Sequence, residues 1–158
     1  MATPPPAWLK RLYAAPQLLY RVGLGRLAGH RFLLLTHTGR RTGARHRAVV
    51  EVVRYAPATG EAVVLAGYGP GSDWYRNLRA AGPAWVDFGR GPRPAQVRTV
   101  PDDEAVLALA SYERRYGLLR PLLHRVLSAF AGFGYHGTDD DRRRAVGVLP
   151  MLALTPRR

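Results

Sequence analysis

The stretch RFLLLTHTGRRTGARHRAVVEVVRYAPATGEAVVLAGY, residues 31–68, decides the fold. Arg31–His37 is an apolar run too short for an ordinary helix. Arg45–Tyr55 carries Val49, Val50, Val52 and Val53, and β-branched side chains suit a pleated surface. Glu61–Tyr68 returns as a third run. Thr38-Gly39-Arg40-Arg41-Thr42-Gly43 and Ala56-Pro57-Ala58-Thr59-Gly60 separate the three as turns. The pattern predicts a meander of three antiparallel strands.

Working outward, Gly69-Pro70-Gly71 reads as a loop, with Ser72 or Asp73 capping a short helix from Trp74 to Ala81. Gly82-Pro83 ends that helix. Ala84–Phe88 and Arg93–Val100 form a hairpin across Gly89-Arg90-Gly91-Pro92. Pro101 and three acids open a helix that runs to Tyr116, where early proline and first-turn carboxylates suit the helix dipole. Leu118–Phe130 is a further apolar helix after Gly117. Thr138 caps a last one beginning Asp139-Asp140-Asp141, and Leu149–Thr155 closes the chain as an edge strand that tolerates Pro150. Upstream, after Pro4, Pro5 and Pro6, residues 8–27 set Trp8, Leu9, Leu12, Tyr13, Leu19, Val22 and Leu27 at helical spacing, with a break expected at Pro16. Six short strands with inserted helices suit an α+β, mainly β protein: a small antiparallel barrel flanked by helices. At 158 residues it is expected to be one domain, with a helical segment at 1–30, a barrel core at 31–100, and helices with a closing strand at 101–158.

Composition narrows the chemistry. Cysteine is absent, which excludes disulfides and thiol catalysis. No apolar run approaches the roughly 18 residues of a membrane span, and no cleavable leader opens the chain. A cytoplasmic, soluble domain is the expectation. Against 11 acids stand 24 basic residues, all arginine except Lys10. Guanidinium forks match phosphate and carboxylate oxygens, so an anionic partner is one reading. Arginine-favouring codon usage is the other, and it accounts well for the scattered arginines.

Clustering separates the two readings. Residues 36–47, THTGRRTGARHR, hold four arginines, two histidines, three threonines and two glycines. A glycine turn exposing backbone N–H groups among arginine forks is a receptor for phosphate or polycarboxylate. The Walker spacing and a GxGxxG helix opening are both missing. A second cluster, Gly67-Tyr68-Gly69-Pro70-Gly71-Ser72-Asp73-Trp74-Tyr75-Arg76-Asn77-Leu78-Arg79, combines a loop that lets a flat ligand approach the backbone with aromatics that could wall it. Trp74 and Leu78, four apart, equally suit the buried face of a short helix. The five histidines lack metal-ligand spacing, so no metal site is expected.

LLLTHTGRRTG at 33–43 and DWYRNLRA at 73–80, in that order and at that separation, resemble the deazaflavin-dependent nitroreductase and quinone reductase family. These are split antiparallel β-barrel proteins of actinobacteria and relatives, similar to FMN-binding barrels. The resemblance covers roughly residues 31–100, with Leu149–Leu154 resembling the family's closing strand. It implies an oxidoreductase that uses reduced coenzyme F-420, with FMN the alternative cofactor. The phosphate and acidic tail would then lie on Thr38, Arg40, Arg41, Thr42, Gly43, Arg45, His46 and Arg47, and the ring near Gly67 and Tyr68. Better-known members carry a small hydroxyl residue and a lysine where Gly67 and Tyr68 fall. Trp74, Tyr75, Tyr112 and Tyr116 would face the substrate, and Tyr68 would be the proton donor. Small conjugated electrophiles such as quinones, nitroaromatics and enones are the implied acceptors.

Three other readings stay open at this point. The barrel could bind a coenzyme without turnover. The arginine-rich hairpin could bind nucleic acid, although no aromatics interleave residues 40–47 as base stacking would want. Residues 7–27, basic and amphipathic, could lie on an anionic membrane. The expectation is a monomer or dimer without a nucleic-acid partner.

Overall fold

The computed structural model describes residues 6–12, 14–80 and 82–157. Pro4, Pro5, Tyr13 and the expected helix end at Ala81 lie outside the described residues. Six strands form a closed antiparallel barrel: β1 Phe32–Thr38, β2 Arg45–Ala56, β3 Glu61–Leu65, β4 Ala84–Asp87, β5 Arg93–Thr99 and β6 Met151–Pro156. Around the barrel they run β1-β2-β3-β6-β5-β4. Helices are α1 Ala7–Leu12, α2 Ala14–Arg21, α3 Asp73–Arg79, α4 Asp102–Tyr116, α5 Arg120–Ala131 and α6 Asp139–Val148.

Two faces of the strands build two cores. Leu33 and Leu35 of β1 alternate inward with Val50 and Val52 of β2, Ala62 and Val64 of β3, and Leu152 and Leu154 of β6, which fills the barrel. The opposite faces of β3 and β6 present Val63, Met151 and Ala153 to Leu109, Tyr112, Leu123 and Leu127 of α4 and α5. The AVVL of β3 and MLAL of β6 are therefore continuous apolar runs, since both sides are covered. In β2 the pairing register shifts between Val52 and Arg54. Adjacent Val52 and Val53 are both buried, one in each core, because successive side chains of a strand point to opposite faces.

Local chemistry fixes the ends. Thr138 caps α6, its hydroxyl accepting from the Asp141 N–H while Asp141 reaches back to the Thr138 N–H. Asp87 Oδ1 accepts from the N–H groups of Gly89, Arg90 and Gly91, which shapes the β4–β5 turn.

Three sequence expectations are corrected. The N-terminal stretch forms two short helices, α1 and α2, as a break in it predicts, but Pro16 does not end the first: it lies in the first turn of α2, where its missing N–H leaves no bond unmade, and it is buried. The last strand is not an edge, because β6 pairs with both β3 and β5. Pro150 precedes its first residue, and its carbonyl accepts from the Ala66 N–H. The third strand is also shorter than expected, ending at Leu65, so Gly67 and Tyr68 belong to the loop that follows.

Candidate functional site

The β1–β2 turn is held by backbone bonds between Gly39 and Ala44 and between Gly43 and Gly39, with Gly43 at φ 67, a conformation glycine adopts readily. Opposite it stands α3, and Asn77 joins the two. The Asn77 amide is buried, and its Oδ1 accepts from the Arg40 N–H at 3.1 Å and from Arg40 Nη1 at 2.8 Å. Arg40 Nη1 also reaches Asp73 Oδ1 at 3.3 Å. With its oxygen so occupied, Asn77 turns Nδ2 to His37 Nδ1 at 3.0 Å. His37 is buried, and burial followed by the neighbouring His46 pushes its pKa down. A neutral His37 accepting at Nδ1 carries its proton on Nε2. Its ring stacks on His46 at 5.6 Å.

This clamp borders a groove of about 540 Å³. Arg40, Arg41, Thr42, His46, Arg47, Tyr68 and Trp74 line it, together with His37, Asn77 and Ser72. Arg41 and Arg47 are exposed, and among the described residues neither has a carboxylate partner. A second, narrower hollow of about 120 Å³ lies between the barrel and α4–α5. It shares Tyr68 and Trp74 with the groove and is otherwise mostly apolar.

The other residues singled out from sequence lie as follows. Thr38 pairs with Arg45 in the β1–β2 ladder. Arg45 turns to the far side, its guanidinium 4.6 Å over the Trp85 ring. Gly67 borders the narrow hollow. Tyr75 packs edge-on against Trp74 at 6.2 Å and lines neither space. Tyr112 lines the narrow hollow, and its hydroxyl lies 3.3 Å from that of Tyr116. Tyr116 donates to Glu51 Oε1 at 2.6 Å, and burial, reinforced by Glu51, pushes its pKa up to about 12. Asn77 and His37 lay within the two clusters singled out from sequence, but neither was given a role there.

A larger open groove of about 810 Å³ runs along β4 and β5. Of its cations, Arg98 bonds Glu61 and Glu104, and Arg79 donates to Thr99 at 2.9 Å.

The sequence pattern of the F420H(2)-dependent quinone reductases matches residues 7–115. The chain belongs to that family. It is an oxidoreductase that uses the reduced deazaflavin coenzyme F420, as the family's members do. No curated relative matches the chain. Among solved structures it is similar to one described as an F420-H2 dependent reductase, at 18% identity and TM-score 0.51 over 78% of this chain and 93% of that one. It is also similar to a protein of unknown function from Agrobacterium tumefaciens, at 17% identity and TM-score 0.51 over 91% of this chain and 56% of that one. A third, described as a domain-swapped dimer, gives 16% identity and TM-score 0.53 over 92% and 98%. At these identities the likeness establishes the barrel fold.

The residues present suit the coenzyme. Its tail is anionic, and the groove offers guanidinium, imidazole and hydroxyl donors, with one carboxylate, Asp73, already paired to Arg40. A Cβ on Gly39 would come within 2.9 Å of Thr42 Oγ1 and 3.1 Å of His46 Nε2, so the bare backbone keeps that end of the groove open.

Proposed function

We propose that the groove between the β1–β2 turn and α3 binds the coenzyme's anionic tail, and that a small conjugated electrophile is reduced at the Tyr68–Trp74 junction. The observation that carries this reading is a pair of exposed arginines, Arg41 and Arg47, without carboxylate partners among the described residues, in a groove that Tyr68 and Trp74 also line. The bound coenzyme supplies a hydride to the acceptor. The protein's part is to bind and orient. Arg41, Thr42, His46 and Arg47 supply donors to phosphate and carboxylate oxygens. Arg40 has a different share: tied to Asn77 and Asp73, it fixes the turn that presents the others. Trp74 flanks the acceptor, and Tyr68, 56% exposed at the junction, is positioned to give a proton to the product. Quinones, nitroaromatics and enones are the acceptor classes this geometry suits.

The test pairs a fluorescence titration of the coenzyme with an acceptor screen on the reduced coenzyme. Trp74→Ala is expected to change acceptor preference while coenzyme affinity is largely kept. Micromolar binding of FMN with none of the deazaflavin would refute the reading.

A second reading concerns the surface. Trp8, Leu12, Leu18, Val22, Leu24 and Leu27 are exposed at the N-terminal helices, and Leu118, Leu119 and Leu122 at the start of α5. Arg125 of α5 lies 5.9 Å over the Trp8 ring, which joins the two groups. No Asp or Glu occurs in residues 1–50 or 114–138. An apolar face on segments that carry cations and no acids suits an anionic membrane surface. Sedimentation with vesicles containing anionic lipid, compared with Leu24→Glu/Leu118→Glu, tests it: retained binding in the variant would refute it. No helix among the described residues is long and apolar enough to cross a membrane.

A further inference from the structure

We infer that the narrow hollow beside the groove receives a short hydrocarbon substituent of the acceptor, so that α5 selects which acceptors are used. This rests on the reading above that the acceptor sits at the Tyr68–Trp74 junction. Four observations lead to it.

First, the two spaces adjoin, since Tyr68 and Trp74 border both. A molecule whose reactive ring lies at the junction can extend a substituent into the slot. Second, the slot is small and apolar, walled by Leu65, Leu109, Leu123, Val126, Leu127 and Phe130. An apolar cavity of about 150 Å³ holds a benzene molecule. At about 120 Å³ this one holds roughly five carbons, too few for a substituted ring. Third, the polar side chains on its rim are few: besides Tyr68 and Trp74 they are Gln17, Glu51 and Tyr112, of which Glu51 accepts from Tyr116 and the Tyr112 hydroxyl lies 3.3 Å from that of Tyr116. A hydrocarbon therefore suits the space better than a polar substituent, whose hydration would go unreplaced.

Fourth, the α5 side of the wall lies outside the shared pattern. The family match ends at residue 115, whereas α5 spans Arg120–Ala131 and contributes Leu123, Val126, Leu127 and Phe130. The Phe130 ring meets the Tyr68 ring edge-on at 5.6 Å, at the neck between slot and junction. Gly67 makes room for it, because a Cβ there would stand 3.1 Å from the Phe130 ring.

The experiment measures affinity and KM for 1,4-naphthoquinone and for 2-alkyl-1,4-naphthoquinones carrying one to eight carbons. Affinity is read by quenching of tryptophan fluorescence in the coenzyme-free protein, KM with the reduced coenzyme present. Affinity is expected to rise roughly fourfold per methylene and to level off near five carbons. Val126→Phe, which fills the slot, is expected to abolish the dependence on chain length and to leave the affinity for the unsubstituted quinone as it was. Phe130→Ala, at a half-buried position, is expected to extend the rise to longer chains. The inference is overturned if wild-type affinity does not depend on chain length, if no alkyl quinone binds, or if neither variant alters the dependence. A parallel coenzyme titration separates the two levels. Absence of chain-length dependence with coenzyme binding intact defeats the slot alone, whereas failure of the coenzyme to bind defeats the reading on which it rests.

Discussion

Two arginine clusters on this molecule share a residue type and differ in what surrounds it. On one flank of the barrel, Arg54 and Arg98 meet Glu61 and Glu104, with Arg98 bonded to both carboxylates at 2.8–3.0 Å. Arg98 holds Glu104 well below the ordinary carboxylate range, at about 2. On the other flank, Arg41 and Arg47 face a groove without a carboxylate partner. The first cluster fastens β2, β3, β5 and α4 together, and its charge is spent within the fold. The second leaves its charge available. Whether an arginine is structural or ligand-binding is decided by the counter-charge supplied nearby, which composition alone cannot reveal. Arg40 stands between the two kinds, since its Nη1 is held by Asn77 at 2.8 Å and Asp73 at 3.3 Å while it still borders the groove.

The comparison breaks most visibly if the unmatched pair is removed. Arg41→Ala/Arg47→Ala is expected to weaken coenzyme binding by about 1.5–3 kcal/mol for each charge-assisted hydrogen bond removed, with thermal stability nearly unchanged. Arg98→Ala is expected to do the reverse, lowering the melting temperature and leaving coenzyme affinity alone. If both variants moved the same quantity, the division between the clusters would fail.

Asn77→Ala comes next and should affect both quantities. It strands the Arg40 N–H and His37 Nδ1, and an unsatisfied buried polar group costs about 1–3 kcal/mol. The change should appear as reduced unfolding free energy together with weaker coenzyme binding, because the turn is no longer held against α3. Normal affinity in a destabilised Asn77→Ala protein would reduce the clamp to a purely structural role.

A smaller effect is expected with pH. The folded-state pKa of Glu104 lies at about 2 against an ordinary 4.5. Its contribution is therefore present above about 4.5 and disappears as pH falls towards 2. The gap in melting temperature between wild type and Glu104→Gln should be full at neutral pH and close across that window. A gap independent of pH would contradict the pairing. Least of all is expected from Arg45→Ala. Its guanidinium lies over Trp85, a stacking worth about 0.5–1 kcal/mol at an exposed site, and coenzyme titrations should barely register the change.

Much of the barrel was legible because its signals are local. A short leucine run and two valine-rich ones, separated by glycine-containing turns, marked β1 to β3, and Thr138 with the acids after it marked the start of α6. The misread features depend on tertiary position. Pro16 looked like a breaker until the start of α2 at Ala14 put it in a first turn. Pro150 suggested an edge strand, but β6 begins one residue later and lies between two partners. The site was half legible. The glycine–arginine turn and the motif that contains Asn77 were conspicuous, yet Asn77 could be given no role because its partners, His37 and Arg40, are 40 and 37 residues away. Equally, nothing in the spacing of Leu123, Val126, Leu127 and Phe130 distinguishes a core stripe from the wall of a slot.

The most direct measurement is a coenzyme titration of wild-type protein and Arg41→Ala/Arg47→Ala, each at low and high salt. Wild type should bind tightly and lose affinity as salt screens the groove, and the double variant should bind weakly with little further salt dependence. Equal affinity and an equal response to salt in the two proteins would contradict the claim that these arginines hold the coenzyme.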